Sequence, residues 1–269
     1  STDIKEFVEL KSTAPFTALD GYVLVFFNGS SSGLTNLSYY AVDLDGLITD
    51  GNGNILLANS QVNPSGSYII PNGMIQNGPD AVAIYLGNAD DFPTNTAGIT
   101  TNLIDALVYS NSSTTSATAL MTALNSTISY NENANNAAIT QSIQRKSDGT
   151  YEVKTPTPRV NNDGLGIVYN GITTTFSAAS PINEGQNITI TFTTDIAVSS
   201  NLNFSITLNN GSFNSSDFIG NLNITIPSGT ATASTTIQIL NDGINDGDEE
   251  MLVRIGAVSS EYIVLNNSN

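Results

Sequence analysis

The sequence predicts an all-β protein built as two β-sandwiches in tandem, with one short helix in the first. Three observations carry that prediction. Short runs rich in Val, Ile, Phe, Tyr and Thr recur along the chain, each bounded by Gly, Asn, Asp or Pro clusters. A Pro- and Asn-rich stretch interrupts them past the midpoint. The 269 residues, 39% of them hydrophobic, are enough to build cores without covalent staples.

Taken in order, Gly21–Phe27, Asn54–Ala58, Ala81–Leu86 and Leu103–Tyr109 read as strands of the first half. Ser116–Thr127 differs, being rich in Ala and Leu with Leu120 and Leu124 at i, i+4, and predicts the short helix. A polar loop over Tyr130–Ala138 follows it. In the second half Ile188–Thr193, Phe204–Leu208, Leu222–Ile226, Thr235–Leu240 and Met251–Ile255 read as strands. Alternation is clearest at Ile188, Ile190 and Phe192 and at Ile237 and Ile239, the pattern of a strand with one buried face. Between the halves, Pro156 and Pro158 disfavour helix and sheet, and Asn161-Asn162-Asp163-Gly164 is turn chemistry. The domains are therefore expected at 1–163 and 164–269.

Composition excludes several functions. With 24 acidic residues against 7 Lys plus Arg, the net charge of −17 repels a polyanion. The one basic grouping, Arg145, Lys146, Lys154 and Arg159, is small, so no nucleic-acid partner is expected. Cys and His are absent, which removes disulfides, thiolate nucleophiles, imidazole zinc sites and the Ser-His-Asp system. Trp is absent too, which weakens a carbohydrate-stacking reading, although ten Tyr remain. No apolar run is long enough to span a membrane, and no basic-then-apolar leader opens the chain. A chain that starts at Ser1, so close to its first strand, is expected to be a processed or partial form. Only 12% of residues are charged, and Asn, Ser, Thr and Gly fill the surface in the style of extracellular adhesive modules.

The acidic residues divide into several groups. Asp43, Asp45, Asp50, Asn52 and Asn54 suggest a metal loop, but counting from Asp43 or from Asp50 fails the EF-hand positions for Gly and Glu. Asp-Gly and Asn-Gly pairs are there expected to serve as hairpin turns. Glu6 and Glu9 read as polar positions on an edge strand, and Asp105 as a solvent-facing carboxylate within an apolar strand. Asp242, Asp246, Asp248, Glu249 and Glu250 crowd between two strands, where repulsion demands either solvation or a shared cation. Tyr39-Tyr40 is a candidate surface for glycan or protein contacts, with ordinary strand surface as the alternative. Two carboxylates suffice for glycoside hydrolysis, so an extracellular hydrolase acting on polysaccharide or nucleic acid, or an accessory region of one, is the alternative function. A chain without His, Cys or Trp is expected not to be an enzyme.

Two resemblances sharpen this reading. Phe7–Leu10, Gln76–Tyr85, and Thr157-Pro158 followed by Asn161 occur in an order that resembles the lamin-tail domain in its secreted bacterial form. That family has Gly after the Pro, whereas this chain has Arg159. The resemblance spans the first half and implies an immunoglobulin-like sandwich, with no reaction attached.

In the second half, Glu184-Gly185, Ser216-Asp217-Phe218, Pro227-Ser228-Gly229 and the acid-rich 241–251 segment resemble the Calx-beta family, known from sodium–calcium exchangers, integrin subunits and secreted bacterial proteins. This resemblance covers Ile182 to about Val264 and implies a second immunoglobulin-like sandwich with calcium at one end. By position it implies Glu184, Asp217, Asp242, Asp246 and Glu249 as ligands, with Asp248 a second choice. Asn241 replaces a family Asp, and Asn266-Asn267 stands where the family often has consecutive Asp, so one or two ions of moderate affinity are expected. The protein these features describe is a non-catalytic, monomeric module pair, extracellular or on a bacterial cell surface, stabilised by calcium and binding glycan or protein.

Overall fold

The computed structural model describes residues 3–112, 114–178, 181–210, 212–241, 243 and 247–265. The protein is nearly all β, with a single short α-helix among the described residues. It divides into two compact units, one comprising 1–62 and 70–166, the other 63–69 and 167–269.

The strands of the first unit's main sheet are β2 (Tyr22–Asn28), β3 (Leu37–Asp43), β6 (Asp80–Leu86), β7 (Leu103–Ser110) and β8 (Tyr130–Asn131), in the order β3-β2-β6-β7-β8. Strand β1 (Phe7–Lys11) pairs antiparallel with β4 (Asn54–Ala58), and β9 (Ser142–Arg145) with β10 (Tyr151–Lys154). Strand β5 is Tyr68–Ile69. The unbroken apolar run of β2 is explained by burial on both faces: Val23 through Phe27 are all buried. One face, with Val23, Val25 and Phe27, packs with Tyr85, Phe92 and Val108 against helix α1 (Thr118–Ala123). Leu120 and Leu124 are the residues that α1 and its C-cap bury there, as their spacing predicts.

The second unit is a sandwich of two sheets. One has the order β14-β16-β12-β11-β18, the other β15-β13-β17. Their strands are β11 (Asn170–Phe176), β12 (Asn187–Thr194), β13 (Leu202–Thr207), β14 (Phe218–Gly220), β15 (Asn223–Ile226), β16 (Thr232–Ile239), β17 (Arg254–Ile255) and β18 (Tyr262–Val264). Ile188, Ile190, Phe192 and Ile237 of the first sheet meet Leu202, Phe204, Ile206, Ile224 and Ile226 of the second in one core. The Phe192 and Phe204 rings meet edge to face at 5.3 Å. Strand β11 has no counterpart in the sequence reading, because its Thr173-Thr174-Thr175 run shows no apolar alternation. Thr191 and Ser234, paired across β12 and β16, share a 2.8 Å hydroxyl contact on the solvent face.

Candidate functional site

The site the sequence points to lies where β16 ends. Strand β16 runs between β14 and β12, with Phe218 opposite Ile239 and Asn187 opposite Gln238. Just before β12, Asn183-Glu184-Gly185-Gln186 forms a turn. Gln186 N donates to Asn183 O at 3.2 Å, and Gly185 takes φ 79°, a conformation glycine adopts without penalty. Gly185 N donates to Ile239 O at 3.0 Å and Ile239 N to Gln186 O at 2.9 Å, fixing Glu184 on one flank of the β16 exit. On the other flank Leu240 N donates to Asp217 O at 2.8 Å. The Asp217 side chain holds its own turn, with Oδ2 accepting Asn214 N at 2.6 Å.

The chain therefore leaves β16 between Glu184 and Asp217. Their backbones stand two strand spacings apart, roughly 9–10 Å. Asn241 follows directly, exposed, with its Oδ1 accepting Gly243 N at 3.2 Å. Glu184 is exposed, while Asp217 and Glu249 are half-buried. Asp248 is exposed, and Glu250 accepts Asn210 Nδ2 at 2.8 Å. Asp242 and Asp246 lie outside the described residues.

Donor chemistry is the test of whether this end suits calcium. The residues offer carboxylate and amide oxygens, the hard ligands calcium takes in sets of about six to eight. Among the described residues, however, no three acidic side chains come together closely enough to hold an ion. Glu184 and Asp217 frame the exit from opposite sides, and Asp242 and Asp246 lie outside the described residues.

The other acidic residues singled out from sequence have structural partners. In the first unit Asp45 Oδ1 accepts Gly21 N at 2.6 Å, Asp43 Oδ1 accepts Ala89 N at 2.6 Å, and Asp50 Oδ1 accepts both Asn52 N and Asn54 N at 2.8 Å. These are turn-holding carboxylates, and burial raises the Asp50 acid above its ordinary value. Asp105 faces solvent and pairs with Arg145 at 3.6 Å. Of the remaining basic residues in that group, Lys146 pairs with Asp148, Lys154 with Glu152, and Arg159 is 2% exposed. Tyr39 and Tyr40 are half-buried against Phe26, at 6.1 and 5.7 Å between ring centroids, so they form part of the packing.

Sequence reasoning missed an inward-facing acidic group in the first unit. Glu9, placed on an edge strand, is half-buried, and its Oε2 accepts Arg159 N at 2.5 Å. Burial pushes its acid up to about 7. Arg159 sits at φ 65°, the left-handed conformation glycine would adopt more readily. Glu6 is also pushed up to about 7, by burial and then by Asp3 and Glu132. Glu132 reaches about 7 through burial and Asp80, and Asp80 reaches about 6 through burial. The available signal was the Pro79-Asp80 pair heading an apolar strand, a position where a carboxylate must find donors or be desolvated.

Fold and site define a nearly all-β protein in which, among the described residues, no helix is long and apolar enough to cross a membrane. Comparison with protein-family models, curated proteins and solved structures finds no match to this chain.

Proposed function

We propose that the protein is a non-catalytic extracellular module pair whose second unit binds calcium at the β16 exit and uses the ion as a structural tie. The observation that supports this reading is the convergence there. Gly185 and Asp217, from turns more than thirty residues apart, both bond the backbone of Ile239–Leu240, which leads into the acidic segment. Glu184, Asp217, Asp242, Asp246 and Glu249 would hold the ion, which supplies charge neutralisation and no chemistry. The resemblance of this segment to Calx-beta domains supports the same reading, and an extracellular location suits it, because millimolar calcium fills even a weak module-type site.

Calorimetric titration of EDTA-treated protein with calcium, beside Asp242→Ala, tests the proposal. Saturable binding that the substitution abolishes is expected, with a rise in stability of about 2.7 kcal/mol at a hundredfold excess over Kd. Absence of binding at millimolar calcium would overturn it.

A further inference from the structure

Two side-chain rungs join the first strand of the first unit to the segment that closes it. On one rung Glu9 Oε2 accepts Arg159 N at 2.5 Å. On the next, Lys11 Nζ donates to Asn161 Oδ1 at 2.6 Å. Glu9 and Lys11 stand two residues apart on β1, so their side chains leave the same face of the strand. Arg159 and Asn161 are also two residues apart, and each rung spans 150 residues of chain.

Both partners of the second rung are held from behind. Lys11 pairs with Asn54 in the β1–β4 ladder, and its Nζ also donates to Asn52 O. Asn161 N donates to Leu165 O at 2.9 Å, and Asn161 O accepts Gly164 N at 2.7 Å, which fixes the turn that carries the side chain. An amine bonded to a carboxamide oxygen stands about 3–4 Å from the carbonyl carbon, close to the separation of a near-attack pair.

An amine and a carboxamide exchange to a new amide when an acid is at hand to move the proton. Glu9, on the neighbouring rung, is such an acid. Burial holds it at about 7 against the pull of the Arg159 N–H; Asp50 raises it further, and the Arg159 and Lys11 charges lower it. About half of it carries a proton at neutral pH.

We propose that Lys11 and Asn161 join in an intramolecular isopeptide bond. Lys11 Nζ, as the free amine, attacks Asn161 Cγ. The Nζ–Cγ bond forms and the Cγ–Nδ2 bond breaks. Glu9 relays the proton that the amine gives up to the leaving nitrogen, which departs as ammonia. No oxidant, reductant or cofactor enters the balance. The free amine is a minor form of a lysine at neutral pH. The bond is made once per molecule, however, and the escape of ammonia draws it to completion, so a slow step suffices. In a chain without Cys, this bond would close a 150-residue loop and restrict the unfolded chain as a disulfide does.

The test is intact-mass and peptide-mapping mass spectrometry of the full chain, incubated at neutral and mildly alkaline pH. The parent is expected to weigh less than its sequence by one ammonia, and its digest to hold one branched peptide joining the segments around Lys11 and Asn161. Lys11→Arg keeps a donor for Asn161 Oδ1 and should give no branched peptide. Glu9→Gln keeps an acceptor for Arg159 N and should slow bond formation about tenfold or more. Cyclisation at an Asn-Gly pair also releases ammonia but links no second segment, so the branched peptide is the deciding product. The proposal is overturned if the parent yields no branched peptide, if Lys11→Arg loses ammonia as the parent does, or if Glu9→Gln forms the bond at the parent's rate. The first of these rests on the parent alone and needs no variant to fold. None of them depends on the calcium site of the second unit.

Discussion

The two units treat their acids in opposite ways. The first buries Asp50 and Asp80 to 2% exposure and draws Glu6, Glu9 and Glu132 partly inward, raising each acid above its ordinary value. Within 167–265 the described buried polar side chains are Thr194 and Thr235, and the acids there are exposed or half-buried. Asp50 is matched by the turn amides of Asn52 and Asn54, whereas Asp80 accepts from Gly29 N at one oxygen and leaves the other without a partner among the described residues. The rim acids of the second meet few such donors, which leaves their mutual repulsion to solvent or a cation. Protons should therefore tune the first unit and metal ions the second.

The largest expected effect probes the uncharged part of this contrast. Phe192 is fully buried against Phe204 in a core without charged residues, and Phe192→Ala should cost about 3–5 kcal/mol by chemical denaturation. A cost under half that would mean the core collapses around the gap.

The turn acids of the first unit come next. Asp50→Ala strips one acceptor from two backbone N–H groups at 2.8 Å and should cost about 1–3 kcal/mol. Asp50→Asn retains an oxygen and should recover part of the loss. Equal stability of all three proteins would show that the turn is held by its glycines alone.

A smaller effect is the pH dependence. Glu6 and Glu132 have ordinary values of 4.5 and stand at about 7 when folded, so the folded state binds more protons between those limits. Their contribution to stability is complete below about 4.5 and is lost as pH rises through about 7. Asp80 adds a decline between 3.8 and about 6. Denaturant midpoints should be higher at mildly acid pH than at neutral pH, and Glu6→Gln should narrow the difference. A difference unchanged by Glu6→Gln would assign it elsewhere, for instance to relief of the net charge of −17.

What the sequence revealed follows the same division. Strands with one wet face announce themselves by alternation, so β12 and β16 were legible from Ile188, Ile190, Phe192, Ile237 and Ile239. The helix was legible from Leu120 and Leu124, and Asn54–Ala58 matches β4 residue for residue. The Thr-rich β11 was not legible, because its partners across the sheet, and not its own pattern, make it a strand. At the β16 exit, Glu184 and Asp217 were singled out by the resemblance to Calx-beta domains and by no pattern of their own, and the sheet places them on either side of one strand. The Gly29–Asp80 contact was hidden because the two residues are distant in sequence and meet through the pairing of β2 with β6. Arg159 shows the limit most plainly, since nothing local to a Thr-Pro-Arg turn signals a buried arginine whose backbone N–H donates to Glu9.

The most direct test of the contrast is amide hydrogen exchange with and without calcium. Gly185, Ile239 and Leu240 carry the bonds that join the turns at the β16 exit, while Asn52 and Asn54 carry those of the Asp50 turn. Calcium is predicted to slow exchange at the first three, to leave the last two unchanged, and to have neither effect in Asp242→Ala. Unchanged exchange at Gly185, Ile239 and Leu240 in saturating calcium, or equal slowing in both units, would contradict the account.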